Sequence, residues 1–264
     1  RKGLMAKAEA LQAIHFPKSE TEKSLARTSL AYEELFHFQL GIAMRIQARK
    51  LQSVERKPIQ GILGRRLLER LPFSLTQDQV EVLQEIQADM DRPQPMARLL
   101  QGDVGSGKTI VALLAALRAV ERGAQVAMMA PTELLARQHA ATAAKLLEPL
   151  GVRLAFLTGN VDDISRPPLL KALASGEVDI VLGTHALFSS DVLYKDLRLV
   201  IIDEQHRFGV VQRGALYKKG YIPDLLMMTA TPIPRSLALT LFGDLAVSSI
   251  KSLPPGRKPV ITHI

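Results

Sequence analysis

Residues 98–117 read RLLQGDVGSGKTIVALLAAL. An apolar run leads into Gly102, Gly105 and Gly107, then a lysine, a threonine and a second apolar run. Gly102, Asp103, Val104, Gly105, Ser106, Gly107, Lys108 and Thr109 fit the pattern G-x-x-x-x-G-K-[ST] in full. A strand before such a loop and a helix after it make the pattern evidence of a phosphate-binding turn. Glycines let the backbone curl so that successive N–H groups face inward, and the following helix N-terminus favours an anion. Lys108 is expected to reach the β- and γ-phosphates of a nucleotide and the Thr109 hydroxyl to ligate Mg²⁺. ATP and Mg²⁺ are the cofactors this predicts.

The loop also constrains the rest of the chain, because it needs a parallel sheet to stand on. Short apolar runs recur at 98–102, 125–131, 152–158, 178–184, 198–204 and 225–231, with helical stretches between them. They are apolar throughout rather than alternating, as strands covered on both faces are. This predicts an α/β fold with a doubly wound, mostly parallel sheet, whose ligands bind at the carboxyl ends of its strands. A helix is expected over 76–89. Upstream, the pattern predicts a helix from Ser24 to Gln52, with Leu35, Phe38, Ile42 and Ile46 on one apolar stripe. Residues 1–20 read as irregular around HFPKSE. The stretch RKPIQGILGRRLLERLPF reads as a connector, punctuated by Pro58, Gly61, Gly64 and Pro72. Two domains are expected, a basic helical linker over 1–70 and the nucleotide-binding body over 71–264.

Charge divides the chain in the same way. Of the formal net charge of +8, residues 1–70 carry +7, from 14 Lys/Arg against 7 Asp/Glu. That asymmetry suits either a polyanion-facing arm or a solvated helix surface. There is no cysteine, which excludes a disulfide framework and a thiolate metal site and points to the cytoplasm. The longest apolar run, Ile110–Leu117, is far short of the ~20 residues a membrane helix needs. The chain does not begin with Met, and its last residues, RKPVITHI, read as a strand cut short, which predicts a piece of a longer protein.

Two further strand ends carry chemistry. VIIDEQH ends in Asp203 and Glu204. Asp203 is the expected Mg²⁺ holder and Glu204 the expected general base that orients water. MTATPIPR follows a later strand, and the hydroxyls of Thr229 and Thr231 are placed to bond to the acidic pair or to cap the strand end.

In this order, GDVGSGKT, DEQH and TAT resemble motifs I, II and III of superfamily-two helicases. The longer strings QGDVGSGKT, APTELLARQH, GTHALF, VIIDEQHRFGVVQR, MTATPIPR and LPPGRKPV resemble the RecG-type family of branched-DNA helicases. LQAIHFPKSE and RTSLAYEELFHFQLGIAMR resemble the segment that joins that family's wedge domain to its motor. The motor of transcription-repair coupling factors is the near alternative. It usually has a second Glu where this chain has Gln205.

The resemblance implies a RecA-like P-loop NTPase domain, the first of two motor domains in an enzyme that pulls branched double-stranded DNA past a wedge. It implies a Q motif, with Gln79 reading the adenine edge and Phe73 packing near the base. Pro131 and Thr132, with Glu133, match motif Ia, and Gly183, Thr184 and His185 match motif Ib. These strand-end loops are expected to touch the DNA backbone. His206 resembles the residue that couples hydrolysis to movement, and Arg207, Phe208 and Arg235 are placed to signal across the interface between motor domains. A second motor domain bearing an arginine finger, the wedge domain and a single-strand-binding protein are the implied partners. In one respect the chain departs from the pattern. Where the family often carries a basic run after LTG, this sequence has NVDDISRPP. A nucleotide-gated binding module that hydrolyses little is the alternative from another class.

Overall fold

The structure is a computed structural model that describes residues 3–160, 164–204, 222–231 and 245–252. Its described residues divide into two compact units between Arg49 and Lys50.

The first unit holds helices α1 (Lys7–His15) and α2 (Glu20–Lys50). The irregular stretch is narrower than expected: it is confined to residues 16–19 of HFPKSE, and α1 precedes it, its KAEALQAIH rich in helix formers. Pro17, two residues past its end, accounts for both its shortness and the irregular look of HFPKSE. Ala10 and Ala13 of α1 and Ala26 of α2 are buried together, and small side chains let the two helices approach closely. Met5 N donates to Ser29 Oγ at 3.0 Å across the same contact. The expected apolar stripe of α2 is not one buried face. Ile42 is buried, whereas Leu35 and Phe38 are exposed, as are Tyr32, Phe36 and Met44.

The second unit is built on seven parallel strands: β1 (Ala97–Gly102), β2 (Gln125–Met129), β3 (Leu154–Leu157), β4 (Ile180–Gly183), β5 (Leu197–Asp203), β6 (Asp224–Thr229) and β7 (Ala246–Ile250). Their order is β3-β4-β2-β5-β6-β1-β7. The six expected strands are present, with their ends shifted by up to two residues. The seventh, AVSSI, escaped the apolar criterion because of its serines. Ser248 is buried there because its Oγ accepts from Arg98 at 2.5 Å. Arg98 lies inside the sheet's edge because Asp89 and Glu85 pair with it at 2.7 Å each.

Helices α3 (Ile62–Arg70), α4 (Gln77–Asp91), α5 (Lys108–Glu121), α6 (Glu133–Leu147) and α7 (Arg166–Ser175) connect or cover the strands. The run Ile110–Leu117 is buried at every position, because α5 lies against β1, β2 and β5 on one side and against α3 and α4 on the other. Helix α3 corrects the reading of its stretch as a bare connector. Gly61 caps it, and Leu67 is fully buried in the main core.

Candidate nucleotide site and the adjoining strand ends

The glycine-rich loop stands at the carboxyl end of β1 and opens α5. Gly105 and Gly107 adopt φ of 78° and 87°, a left-handed backbone that only glycine takes without strain. At Gly107 a side chain is also excluded by space, since an added Cβ would fall on Gln79 Nε2. The loop's crown, Asp103, Val104 and Gly105, is exposed, while Ser106 is buried. Ser106 Oγ has no hydrogen-bond partner among the described residues. Lys108 Nζ is folded back onto the loop, donating to the carbonyls of Gly102 at 2.6 Å and Asp103 at 2.9 Å. Burial holds the Lys108 ammonium below its ordinary pKa, against the opposing pull of Asp203, Glu204 and Asp103. An ammonium half-withdrawn from water and satisfied only by carbonyls has a stronger acceptor to gain in a phosphate.

Asp203 ends β5 and Glu204 follows it, on a strand separated from β1 by β6 alone. Their charges therefore reach Lys108 across one strand. Asp203 Oδ1 accepts from Glu204 N at 3.1 Å, and Oδ2 lies 2.7 Å from His139 Nε2 on α6. Glu204 has a φ of 52°, the one left-handed non-glycine residue among those described. Such a conformation costs about 1–3 kcal/mol and clusters at functional sites. Thr229 ends β6, between the acids and the loop. Its hydroxyl bonds to that of Thr231 at 2.9 Å and accepts from Thr231 N at 3.2 Å.

Gln79 is buried in the first turn of α4. Its Oε1 accepts from Thr76 N at 2.9 Å and Thr76 Oγ1 accepts from Gln79 N at 3.3 Å, a closed capping box. Its Nε2 donates to Ser106 O at 2.7 Å, which pins the helix start to the phosphate loop. One N–H and one lone pair of the carboxamide remain for an adenine edge. Phe73 is half exposed and lines an open cleft of about 550 Å³ with Leu68, Leu71, Leu75 and Val80.

The motif Ia and Ib residues lie on the other half of the same carboxyl edge. Pro131 and Thr132 follow β2, where Thr132 Oγ1 accepts from Leu135 N at 3.3 Å and caps α6. Gly183 ends β4, the neighbour of β2, and Thr184 and His185 follow it; Ala130 N bonds Gly183 O at 2.9 Å. Thr132 and His185 are exposed; Gly183 and Thr184 are buried. Beyond β3, Asn160 Nδ2 donates to Glu133 Oε2 at 2.8 Å. His206, Arg207, Phe208 and Arg235 lie outside the described residues. His139 and Asn160 carried no role in the sequence reading. The sequence signal for His139 was a lone imidazole among the alanines of ARQHAATAAK.

The donors around the loop are hard oxygens, the Asp203 carboxylate and the Thr109 hydroxyl. No cluster of three or more His, Cys, Asp or Glu that could hold a metal occurs among the described residues. That set fits Mg²⁺ held by one or two protein groups together with phosphates, and not a dedicated metal cage. Among the described residues no helix is long and apolar enough to cross a membrane.

The family model for DEAD/DEAH box helicases matches residues 76–240. The chain is also similar along nearly its whole length to proteins named ATP-dependent DNA helicase RecG. It is 53% identical to that of Treponema pallidum, covering 99% of this chain and 41% of that protein. It is 50% identical to that of Bacillus subtilis, covering 97% and 38%. The chain thus spans about two fifths of the length of these relatives. A solved structure of RecG bound to a three-way DNA junction superposes with a TM-score of 0.79 at 42% identity, covering 98% of this chain and 36% of that one. The helicase MrfA bound to DNA, 18% identical with a TM-score of 0.57 over 76% of this chain, shares the fold alone. The sheet is that of a RecA-like motor domain, and the chain belongs to the DEAD/DEAH box helicase family.

Proposed function

We propose that this chain is the first motor domain of an ATP-dependent helicase or translocase that remodels branched DNA, such as stalled forks and junctions, in recombination and repair. The observation that carries the reading is the convergence of Lys108, Asp203 and Glu204 at strand ends one strand apart. The loop amides and the α5 N-terminus cradle the phosphates, and Lys108 leaves the carbonyls of Gly102 and Asp103 for the β- and γ-phosphates. Thr109 and Asp203 would hold Mg²⁺, which would supply neutralising charge along the triphosphate. Glu204 orients the attacking water. Phe73 and Gln79 receive the base.

Pro131, Thr132, Gly183, Thr184 and His185 form the DNA-facing half of the edge. Thr229, Thr231, His206 and Arg235 pass nucleotide state to a second RecA-like domain. A wedge domain of the same protein and a single-strand-binding protein complete the partners, and the cytoplasm is the compartment. Residues 1–70 act as the basic linker to the wedge.

The test is ATP turnover by the intact protein with and without branched DNA. Lys108→Ala is expected to remove turnover in both conditions; undiminished turnover in that variant ends the enzymatic reading.

A further inference from the structure

The sheet order sorts the carboxyl edge into two halves. Strands β5, β6 and β1 carry the nucleotide residues, and β4 and β2, with β3 outside them, carry the residues matched to motifs Ia and Ib. At the carboxyl end, a side-chain contact crosses the seam between β2 and β5: His139 Nε2 lies 2.7 Å from Asp203 Oδ2, on side chains each only 14% exposed. We propose that His139 is a positioning residue for nucleotide hydrolysis, fixing the Asp203 carboxylate and tying it to the helix that begins at motif Ia. The inference deepens the nucleotide reading above and rests on it.

Three features of the geometry support it. First, both oxygens of Asp203 have a protein donor, Glu204 N on Oδ1 and the imidazole on Oδ2. A carboxylate held at both ends cannot turn about its Cβ–Cγ bond, yet each oxygen keeps a lone pair for a cation. Outer partners of this kind orient metal-holding groups and typically change metal affinity 10–100-fold. The neutral tautomer with its proton on Nε2 and the imidazolium both supply the donor, so the bond does not depend on a change of charge. Second, water has little access to compete with the bond. Third, His139 sits on a helix whose first turns are internally braced. Thr132 caps α6 through Leu135 N, and Arg137 pairs with Glu133 at 2.6 Å. His139 lies seven positions after the Thr132 cap, about two helical turns along α6, so it stands over the same side of the helix as its start.

The experiment uses the intact protein with a non-hydrolysable ATP analogue and reads Mn²⁺ binding by electron paramagnetic resonance. Nucleotide affinity is measured separately in EDTA. His139→Phe keeps a ring and loses the donor, whereas His139→Gln returns an N–H at similar reach. His139→Phe is expected to weaken Mn²⁺ binding about 10-fold and to leave metal-free nucleotide affinity unchanged. His139→Gln is expected to recover most of the loss. Should His139→Phe not fold, His139→Ala takes its place.

Wild-type Mn²⁺ affinity in the donor-less variant, or a His139→Gln protein as weak as it, overturns the inference and leaves the nucleotide reading standing. An unsubstituted protein that takes up no nucleotide-dependent Mn²⁺ overturns both.

Discussion

Gly183 shows how narrowly some single positions are set. A Cβ there would overlap the carbonyl oxygen of Leu157, a backbone atom at the end of the neighbouring strand. The expected outcome for Gly183→Ala is a loss of about 1–3 kcal/mol in a urea titration, because strand β3 cannot yield as a flexible side chain would. Gln79 is set by three hydrogen bonds, one of them to Ser106 O, before any ligand arrives. Gln79→Ala should therefore lower the melting temperature of the nucleotide-free protein, by about 1–3 kcal/mol in stability terms. A residue that served only to read the base would leave that temperature where it was. Asp191 offers a test with pH. The Ser189 hydroxyl and then Arg166 hold its carboxyl down to about 2. Because the folded pKa is depressed, this contribution is present above the ordinary value of about 3.9 and fades as pH falls towards 2. Ser189→Ala should move the titration midpoint of Asp191, followed by NMR, upward.

Elements differ in how plainly the sequence announces them. Strands β1 to β6 and helix α5 were legible because burial on both faces leaves an unbroken apolar run, as in Ile110–Leu117. Helices α1 and α3 were not, since each is nine residues long and bordered by Pro or Gly. Strand β7 was hidden by Ser248, whose burial makes sense only once Arg98, 150 positions earlier, is placed beside it. The site divides in the same way. The phosphate loop is local, so its spacing alone identifies it. The contact between His139 and Asp203 joins residues 64 apart and exists only because β2 lands next to β5. At the opposite, amino end of the sheet, Arg56 grips Asp224 through two hydrogen bonds of 2.7 and 2.8 Å, with both side chains nearly buried. Burial pushes the Asp224 carboxyl upward, while Arg56 and Met96 N oppose it. Asp224→Ala would strand the guanidinium and is expected to cost about 3–5 kcal/mol. Removing both partners for apolar residues should cost less than Asp224→Ala alone, a comparison a double-mutant cycle in guanidinium chloride makes directly.

At the scale of the whole molecule, charge and sheet serve different ends. Residues 1–70 carry +7 of the net +8, and the remaining 194 residues are close to neutral. If the arm supplies phosphate contacts, DNA affinity of the intact protein should fall steeply with salt. Replacing Arg65, Arg66 and Arg70 by Gln should then flatten that dependence by roughly 0.9 in slope for each lost contact. An unchanged slope would assign the contacts to the strand-end loops instead. The clamp on Asp224 also has a mechanical side. Arg56 lies six positions after Lys50, where the second unit begins, and Asp224 is the first residue of β6. The stretch that opens the second unit is thus fastened to the root of the strand whose tip, Thr229, stands between the phosphate loop and the acids.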